Sequence, residues 1–275
     1  MRNRPANVLI ASSVTVAAAT AILLVSSHPS VWETWRPATC LPNHCFCERV
    51  LDQLVKQPAN AISGTLFLGL AALILLNSLA DMKAGVAQPF ATRPVFPVLF
   101  AAAITMVGLG TTFYHASLTF AGQTADVLGM YLIVTFILFY SLACLKRIPP
   151  YAAALGYVIG NGVLLTGLIL VPAARRYVFA VLVIAAITLE MRARHRNREA
   201  SQPYWFALAI GTLAIGFIIW SLDITRIICD PSSWIQGHAV WHMCGALAIW
   251  FVFLYLTSVT PRAHSRKNEN PSAAN

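Results

Sequence analysis

Two histidines four residues apart are the first feature of chemical interest in this chain. In the segment GHAVWHMCG, His238 and His242 lie within an apolar run near the C-terminus. On a helix, residues four apart face the same side about one turn from each other, so both imidazoles can bind one ion. Of the seven histidines, only His115 also falls inside a predicted membrane span. Ionisable groups inside a membrane are costly and rare, so all three are candidate functional residues.

Three imidazoles in one place predict a catalytic zinc site. Zinc with three protein ligands keeps a fourth position for water, lowers the pKa of that water to about 7 and polarises a carbonyl group. Asp126, in the segment AGQTADVLGM, is a candidate general base and acid. Thr111 precedes His115 by four residues, shares its helix face and is a candidate hydrogen-bond donor to a developing oxyanion.

Each of these residues also has a simpler explanation, which the sequence leaves open. A pair of histidines can form hydrogen bonds between helices. Asp126, two residues after Thr124 at a predicted helix start, can complement the helix dipole. Thr111 can bond to a carbonyl of its own helix.

The composition predicts where these residues lie. The chain has 275 residues, of which 58% are hydrophobic and 11% are charged, whereas soluble domains have about 25% charged residues. Short alternating strands are absent from the pattern, so the fold class is an all-α polytopic membrane protein. The net charge of +9 sits in short loops, where membrane topology explains it, and no nucleic-acid partner is predicted.

Eight apolar segments are long enough to be membrane spans. They lie at about 7–27, 60–80, 95–118, 124–144, 151–172, 176–190, 204–221 and 238–258. The nineteen Lys and Arg residues divide into thirteen on one side and six on the other, which predicts that both termini are cytoplasmic. This topology places the three histidines and Asp126 at one depth, near the outer ends of their helices.

The first segment resembles a secretory signal in its basic start and apolar stretch. Its apolar run nevertheless reaches the ~17–25 residues that span a bilayer, and no A-x-A cleavage site follows. We therefore predict an N-terminal transmembrane helix or uncleaved signal anchor at 1–30. The remaining predicted regions are an outer cysteine-containing loop at 31–59, a seven-helix domain at 60–260 and a polar cytoplasmic tail at 261–275.

The cysteines agree with this orientation. Four of the six lie in predicted outer loops and permit two disulfides, whereas the inner loops contain none. A zinc knuckle in CLPNHCFC would need a partner pair at suitable spacing, and the sequence has none, so disulfides are the better interpretation. The four outer cysteines are Cys40, Cys45, Cys47 and Cys229.

Several segments together resemble the alkaline ceramidase family. They are CFCERVLDQLVKQPANAISGTLFLGL, TTFYHASL followed by TADVLGMYL, and CDPSSWIQGHAVWHMCG. That family belongs to a wider group of seven-helix membrane hydrolases, which also includes the adiponectin and progestin receptors. The likeness runs from about Cys45 to Thr257, and the first segment would be an additional helix on that core.

The resemblance implies a seven-transmembrane-helix bundle that hydrolyses the ceramide amide to a sphingoid base and a free fatty acid. It implies zinc on His115, His238 and His242, with Asp126 beside the metal water. It further implies a disulfide that joins the N-terminal loop to the loop before the last helix. In this sequence that disulfide would pair Cys47 with Cys229.

The chain departs from the family at two places. Thr111 stands where the family has serine, so the hydroxyl survives beside an added methyl group. Eukaryotic members carry an acidic calcium site in the N-terminal loop, but this chain has Gln57 at a position where that site needs an acidic residue. Calcium takes six to eight oxygen ligands, and Glu48 and Asp52 supply too few carboxylates for such a site. Calcium is therefore not expected, and Glu48 can instead be a solvated loop charge or a partner of Arg49 or Lys56.

Asn60 and Ser63, one turn apart at the start of the second segment, match a motif of the same group. We interpret them as interhelical hydrogen-bonding residues that support the site.

The leading functional hypothesis is a zinc-dependent hydrolase of ceramide or a related N-acyl lipid, which enters sideways between helices. An alternative is a zinc-containing receptor or signalling protein, which direct coordination by Asp126 would favour. A transporter with a proton relay is disfavoured, because the polar groups cluster at one end. Short loops and absent sorting signals predict a bacterial inner membrane with the site toward the periplasm, and no oligomeric state is predicted.

Overall fold

The computed structural model describes residues 4–197 and 201–259 and contains eight α-helices there, with no β-strand. All eight are long and apolar enough to cross a membrane, so the all-α polytopic fold class is confirmed. The helices are α1 (Pro5–Val25), α2 (Pro58–Lys83), α3 (Val95–Ser117), α4 (Phe120–Lys146), α5 (Pro150–Leu170), α6 (Arg175–Asn197), α7 (Pro203–Ile224) and α8 (Gly237–Thr257).

Proline begins several of these helices. It stands in the first turn of α1, α2, α5 and α7, where its fixed φ suits a helix and its missing N–H would have no partner inside the helix. The predicted starts of these helices are accordingly correct to within two residues.

Two helix ends differ by more than three residues from their predicted positions, each for a physical reason. The side chain of Thr119 accepts a hydrogen bond from the Gly122 N–H at 3.1 Å, so α4 starts at Phe120 and not near residue 124. The predicted end of α6 near residue 190 was wrong because Glu190 and Arg194 form a buried ion pair that lets the helix continue.

The helix contacts leave a space between α4 and α6 on one side and α7 and α8 on the other. α2 packs on α1, α3 and α8, α3 packs on α4, and α4 packs on α5 and α6. α6 and α7 are consecutive in the chain, but α6 packs mainly on α4 while α7 packs on α8. The space between α4–α6 and α7–α8 contains the cavities described below.

The loop of residues 26–57 covers one end of the bundle, which we call the loop end. Two disulfides hold it, Cys40–Cys45 and Cys47–Cys229, so the pairing implied by the resemblance is confirmed. The Gln57 N–H also donates to the His115 carbonyl at 3.0 Å. The loop is thus tied both to the end of α3 and to the segment before α8.

The first helix packs along α2. A Cβ atom at Gly69 would lie 2.0 Å from Thr15 Oγ1, so glycine permits this close approach. At the opposite end from the loop, Arg4 forms an ion pair with Asp81 at 2.8 Å. These are contacts that a retained helix would make, and its retention stays a prediction. The predicted tail at 261–275 lies outside the described residues.

We expect the Cys47–Cys229 disulfide to contribute more to stability than the Cys40–Cys45 disulfide. The first closes a sequence separation of 182 residues and the second only 5, and closing a longer loop removes more entropy from the unfolded chain. The double substitution Cys47→Ser/Cys229→Ser should lower the unfolding free energy by about 2–4 kcal/mol. Thermal unfolding in detergent, with Cys40→Ser/Cys45→Ser as the control, measures this. An equal loss in the two variants would contradict the expectation.

Candidate metal centre

Three histidines converge at the loop end of the bundle. His115 lies in the last turn of α3, and His238 and His242 lie in the first two turns of α8. All three side chains are buried, and their potential ligand atoms lie within 4.8 Å of one another. The structure therefore brings together the three residues that the sequence proposed as metal ligands.

The orientation of the His115 ring is set by the loop. Gln57 donates from Nε2 to the Glu48 carbonyl at 3.0 Å, which directs its Oε1 toward His115 Nδ1 at 2.9 Å. An amide oxygen only accepts, so His115 Nδ1 carries the proton and Nε2 keeps a lone pair. His115 Nε2 has no hydrogen-bond partner among the described residues.

Ser63 orients His242 in the same way. The Ser63 hydroxyl donates to the Asn60 carbonyl at 2.7 Å, so its oxygen accepts from His242 Nδ1, also at 2.7 Å. The Nε2 lone pair of His242 is thereby left for a ligand. Metal-binding histidines commonly donate their other ring N–H to an oxygen in this manner, so the donor set fits a metal ion.

His238 is held by its ring and by its backbone. Phe46 stacks on the imidazole with ring centroids 3.8 Å apart. Asp223, in α7, accepts from the His238 N–H at 3.0 Å and from the Cys47 N–H at 3.1 Å. Both His238 ring nitrogens lack partners among the described residues. Asp223 was not a predicted site residue, because the predicted span ended at residue 221 whereas α7 continues to Ile224.

Asp126 lies beside this centre and is bonded to Thr111. The Thr111 hydroxyl donates to Asp126 Oδ1 at 2.5 Å across the contact of α3 with α4. Gly110 permits this approach, since a Cβ atom there would lie 2.6 Å from the Ala125 carbonyl oxygen. Asp126 is the seventh residue of α4, so the helix-dipole explanation is wrong. The alternative in which Thr111 bonds to its own helix is wrong as well.

Two adjoining cavities meet at Asp126. The outer cavity, of about 460 Å³, reaches His238, and its polar lining includes Gln123 and Arg175. The inner cavity is narrow, about 140 Å³, and it extends from His242 along apolar side chains of α4, α6, α7 and α8. A cavity with charged and amide groups in its lining and an almost wholly apolar cavity therefore adjoin beside the histidines.

Glu48 stabilises the start of α2. It is 6% exposed, and its carboxylate oxygens accept the N–H groups of Ala59 at 2.7 Å and Asn60 at 2.9 Å. It is therefore not the solvated charge that the sequence offered as an alternative. These bonds occupy oxygens that a calcium ion would need, and the absence of calcium stays a prediction.

The fold and the site define the class of this protein. It is a polytopic helical membrane protein with a buried three-histidine centre. The model of the ceramidase family matches residues 40–273, and the chain belongs to that family. It is 25% identical over 178 residues to the putative alkaline ceramidase dcd3B of Dictyostelium discoideum, covering 56% of this chain and 61% of that protein. It is 23% identical over 191 residues to the alkaline ceramidase of Caenorhabditis briggsae, covering 65% and 67% of the two chains.

We expect Glu48 to make stability fall as the pH rises. Burial raises the pKa of Glu48 from 4.5 to about 7, although the two backbone N–H groups oppose the shift. The folded protein therefore keeps a proton that the unfolded chain releases between these values, so this contribution is fully present below pH 4.5 and is lost through about pH 7.

Unfolding midpoints of the wild type and Glu48→Gln across this pH range measure the effect. The wild type should lose stability relative to Glu48→Gln as the pH increases. Parallel pH profiles of the two proteins would show that Glu48 does not titrate in this range.

Proposed function

We propose that the chain is a zinc-dependent intramembrane amide hydrolase, which cleaves ceramide or a related N-acyl lipid to a sphingoid base and a free fatty acid. Membership of the ceramidase family supports ceramide as the substrate. The observation that carries the proposal is the position of the three histidines and Asp126, where the inner apolar cavity meets the outer cavity that has Gln123 and Arg175 in its lining.

The donor set supports a catalytic metal. His115, His238 and His242 would hold the ion, and Asp126 is not part of this ligand group among the described residues. When bound, zinc supplies a Lewis acid that polarises the amide carbonyl and lowers the pKa of water. A structural zinc site would normally recruit a fourth protein ligand, so the receptor alternative has no specific observation in its favour.

Asp126 is the group that moves protons in this proposal. Thr111 donates to Oδ1, which leaves Oδ2 to take a proton from the attacking water. As the carbon–nitrogen bond breaks, Asp126 returns that proton to the leaving amine nitrogen. The oxyanion role predicted for Thr111 would require its hydroxyl to leave Asp126, so we assign Thr111 to orienting this carboxylate.

The two cavities suit the two ends of the lipid. The acyl chain would lie in the inner cavity, between α4–α6 and α7–α8, and would enter sideways between α6 and α7. The polar head group would lie in the outer cavity, near Gln123 and Arg175. The amide bond would then sit beside Asp126, where the cavities meet. A bacterial inner membrane and a periplasmic site stay predictions.

Fatty-acid release from a defined ceramide by the purified protein in detergent tests this function. The wild type should release fatty acid, and His242→Ala should not. Asp126→Asn should keep the bound metal but lose about 10²–10⁴-fold in kcat, because the amide cannot accept the proton. His28→Ala is the control, since that histidine is exposed in the loop.

Release that is equal in the wild type and His242→Ala would place the active site elsewhere. No release by a folded, metal-loaded wild type would reject ceramide and direct the search to other N-acyl lipids.

Ser63 should strengthen metal binding without touching the ion. Ser63→Ala removes the oxygen that accepts from His242 Nδ1, and losing such a partner typically weakens metal affinity by about 10–100-fold. Ser78→Ala is the matched control, because Ser78 is also buried in α2 but bonds to its own helix at Ile74. Zinc titration with a competing chelator measures both affinities. Equal affinities in the two variants would show that Ser63 does not support the centre.

A further inference from the structure

The apolar inner cavity has a definite length. Its lining runs along α4 from Asp126 to Ile137 and along α8 from Trp241 to Val252. Each stretch covers eleven residue steps, which is roughly 16 Å at ~1.5 Å per residue. The cavity therefore extends from the histidine centre through about half of the ~30 Å hydrocarbon core, the depth of one lipid leaflet.

A polar cluster lies one helical turn beyond the last lining residues. Ser141 follows Ile137 by four positions in α4, and Glu190 follows Ile187 by three in α6. The Ser141 hydroxyl donates to the Glu190 carboxylate, and Arg194 Nε donates to its other oxygen at 2.5 Å. The cluster thus joins α4 to α6 directly beneath the cavity.

Aromatic rings extend this cluster to α8. Tyr255 follows the lining residue Val252 by three positions, and the Arg194 guanidinium carbon lies 5.5 Å from the centre of its ring. Phe206, which lines the cavity, packs against Tyr255 with ring centroids 4.9 Å apart. Side chains of several helices therefore lie about one turn beyond the inner end of the cavity.

The free-energy cost of burying charged groups explains why a lipid chain would stop at this polar cluster. Glu190 is 1% exposed and Arg194 is 9% exposed, so both charges have lost their water and depend on each other. An alkyl chain gains free energy against the apolar walls above them, but it cannot replace a partner of either charge. A methyl end could enter this region only by displacing side chains that hold the ion pair together, which would separate two buried charges.

We propose that the Glu190–Arg194 ion pair closes the inner end of the cavity and sets the upper limit of the acyl chain that the enzyme accepts. This inference rests on the proposed function, because it makes the inner cavity the acyl-chain site. The accepted chains are those that span about one leaflet, such as palmitoyl. Chains that reach beyond it, such as tetracosanoyl, are selected against.

Two variants change the length of the inner cavity in opposite directions. Glu190→Ala/Arg194→Ala removes both charges together and opens space beneath the cavity. Ala186→Leu adds bulk to a buried lining residue one turn above Glu190, which shortens the cavity without touching the ion pair. The matched control is Arg4→Ala/Asp81→Ala, which removes the ion pair between α1 and α2 and leaves the cavity unchanged.

The experiment measures kcat/KM for lauroyl, palmitoyl and tetracosanoyl ceramides. The Glu190/Arg194 variant should raise the ratio of tetracosanoyl to palmitoyl hydrolysis by at least about tenfold, the range expected when an apolar pocket gains room. Ala186→Leu should lower the ratio of palmitoyl to lauroyl hydrolysis by a similar factor, and the control should match the wild type.

The increase in Tm caused by the corresponding free fatty acids gives a second readout that needs no hydrolysis. If no ceramide is cleaved, the proposed function fails, but the fatty-acid series still tests whether the Glu190–Arg194 ion pair limits the length of the bound chain. A chain-length profile that is unchanged in both Ala186→Leu and the Glu190/Arg194 variant would overturn the inference. An equal change in the control would overturn it too.

Discussion

The arrangement of this protein depends on the exclusion of water from its interior, since a polar atom there must find its partner in the protein. The three imidazoles are buried together, and their orientation follows from the few oxygens within reach. Gln57 accepts a hydrogen bond from His115 Nδ1, and Ser63 accepts one from His242 Nδ1. The remaining nitrogens then face one another as a set of unused acceptors, which is the donor set of a metal site.

The loop at residues 26–57 is as important to the centre as the helices are. It contributes Gln57, the stacked ring of Phe46 and the backbone of Cys47, and the disulfide to Cys229 ties it to the segment before α8. Asp223 bonds to Cys47 and His238 at once, so the loop and the start of α8 share one carboxylate. The position of the three histidines is therefore set by covalent and hydrogen-bonded links between distant segments.

Polar groups bound the apolar cavity at both of its ends. Asp126 and the histidines lie at one end, and the Glu190–Arg194 ion pair lies at the other. Between them, the walls offer an alkyl chain only dispersion contacts and removal from water. In the proposed function, specificity for a lipid comes from the distance between these two polar groups, because the reacting bond lies at the histidine end and the chain stops before the ion pair.

The sequence by itself determined the all-α polytopic fold class, most helix starts and the common depth of His115, His238, His242 and Asp126. These follow from hydropathy, helical spacing and charge distribution, which are local or additive properties of the chain. Only the tertiary structure decided which partner each polar group takes: Thr111 with Asp126, Glu48 with the start of α2, and Asp223 with the start of α8. It likewise extended α6 past residue 190, because a charge is tolerated inside a membrane helix only when a partner is adjacent. Which helices are adjacent is a property of packing, and no single segment encodes it.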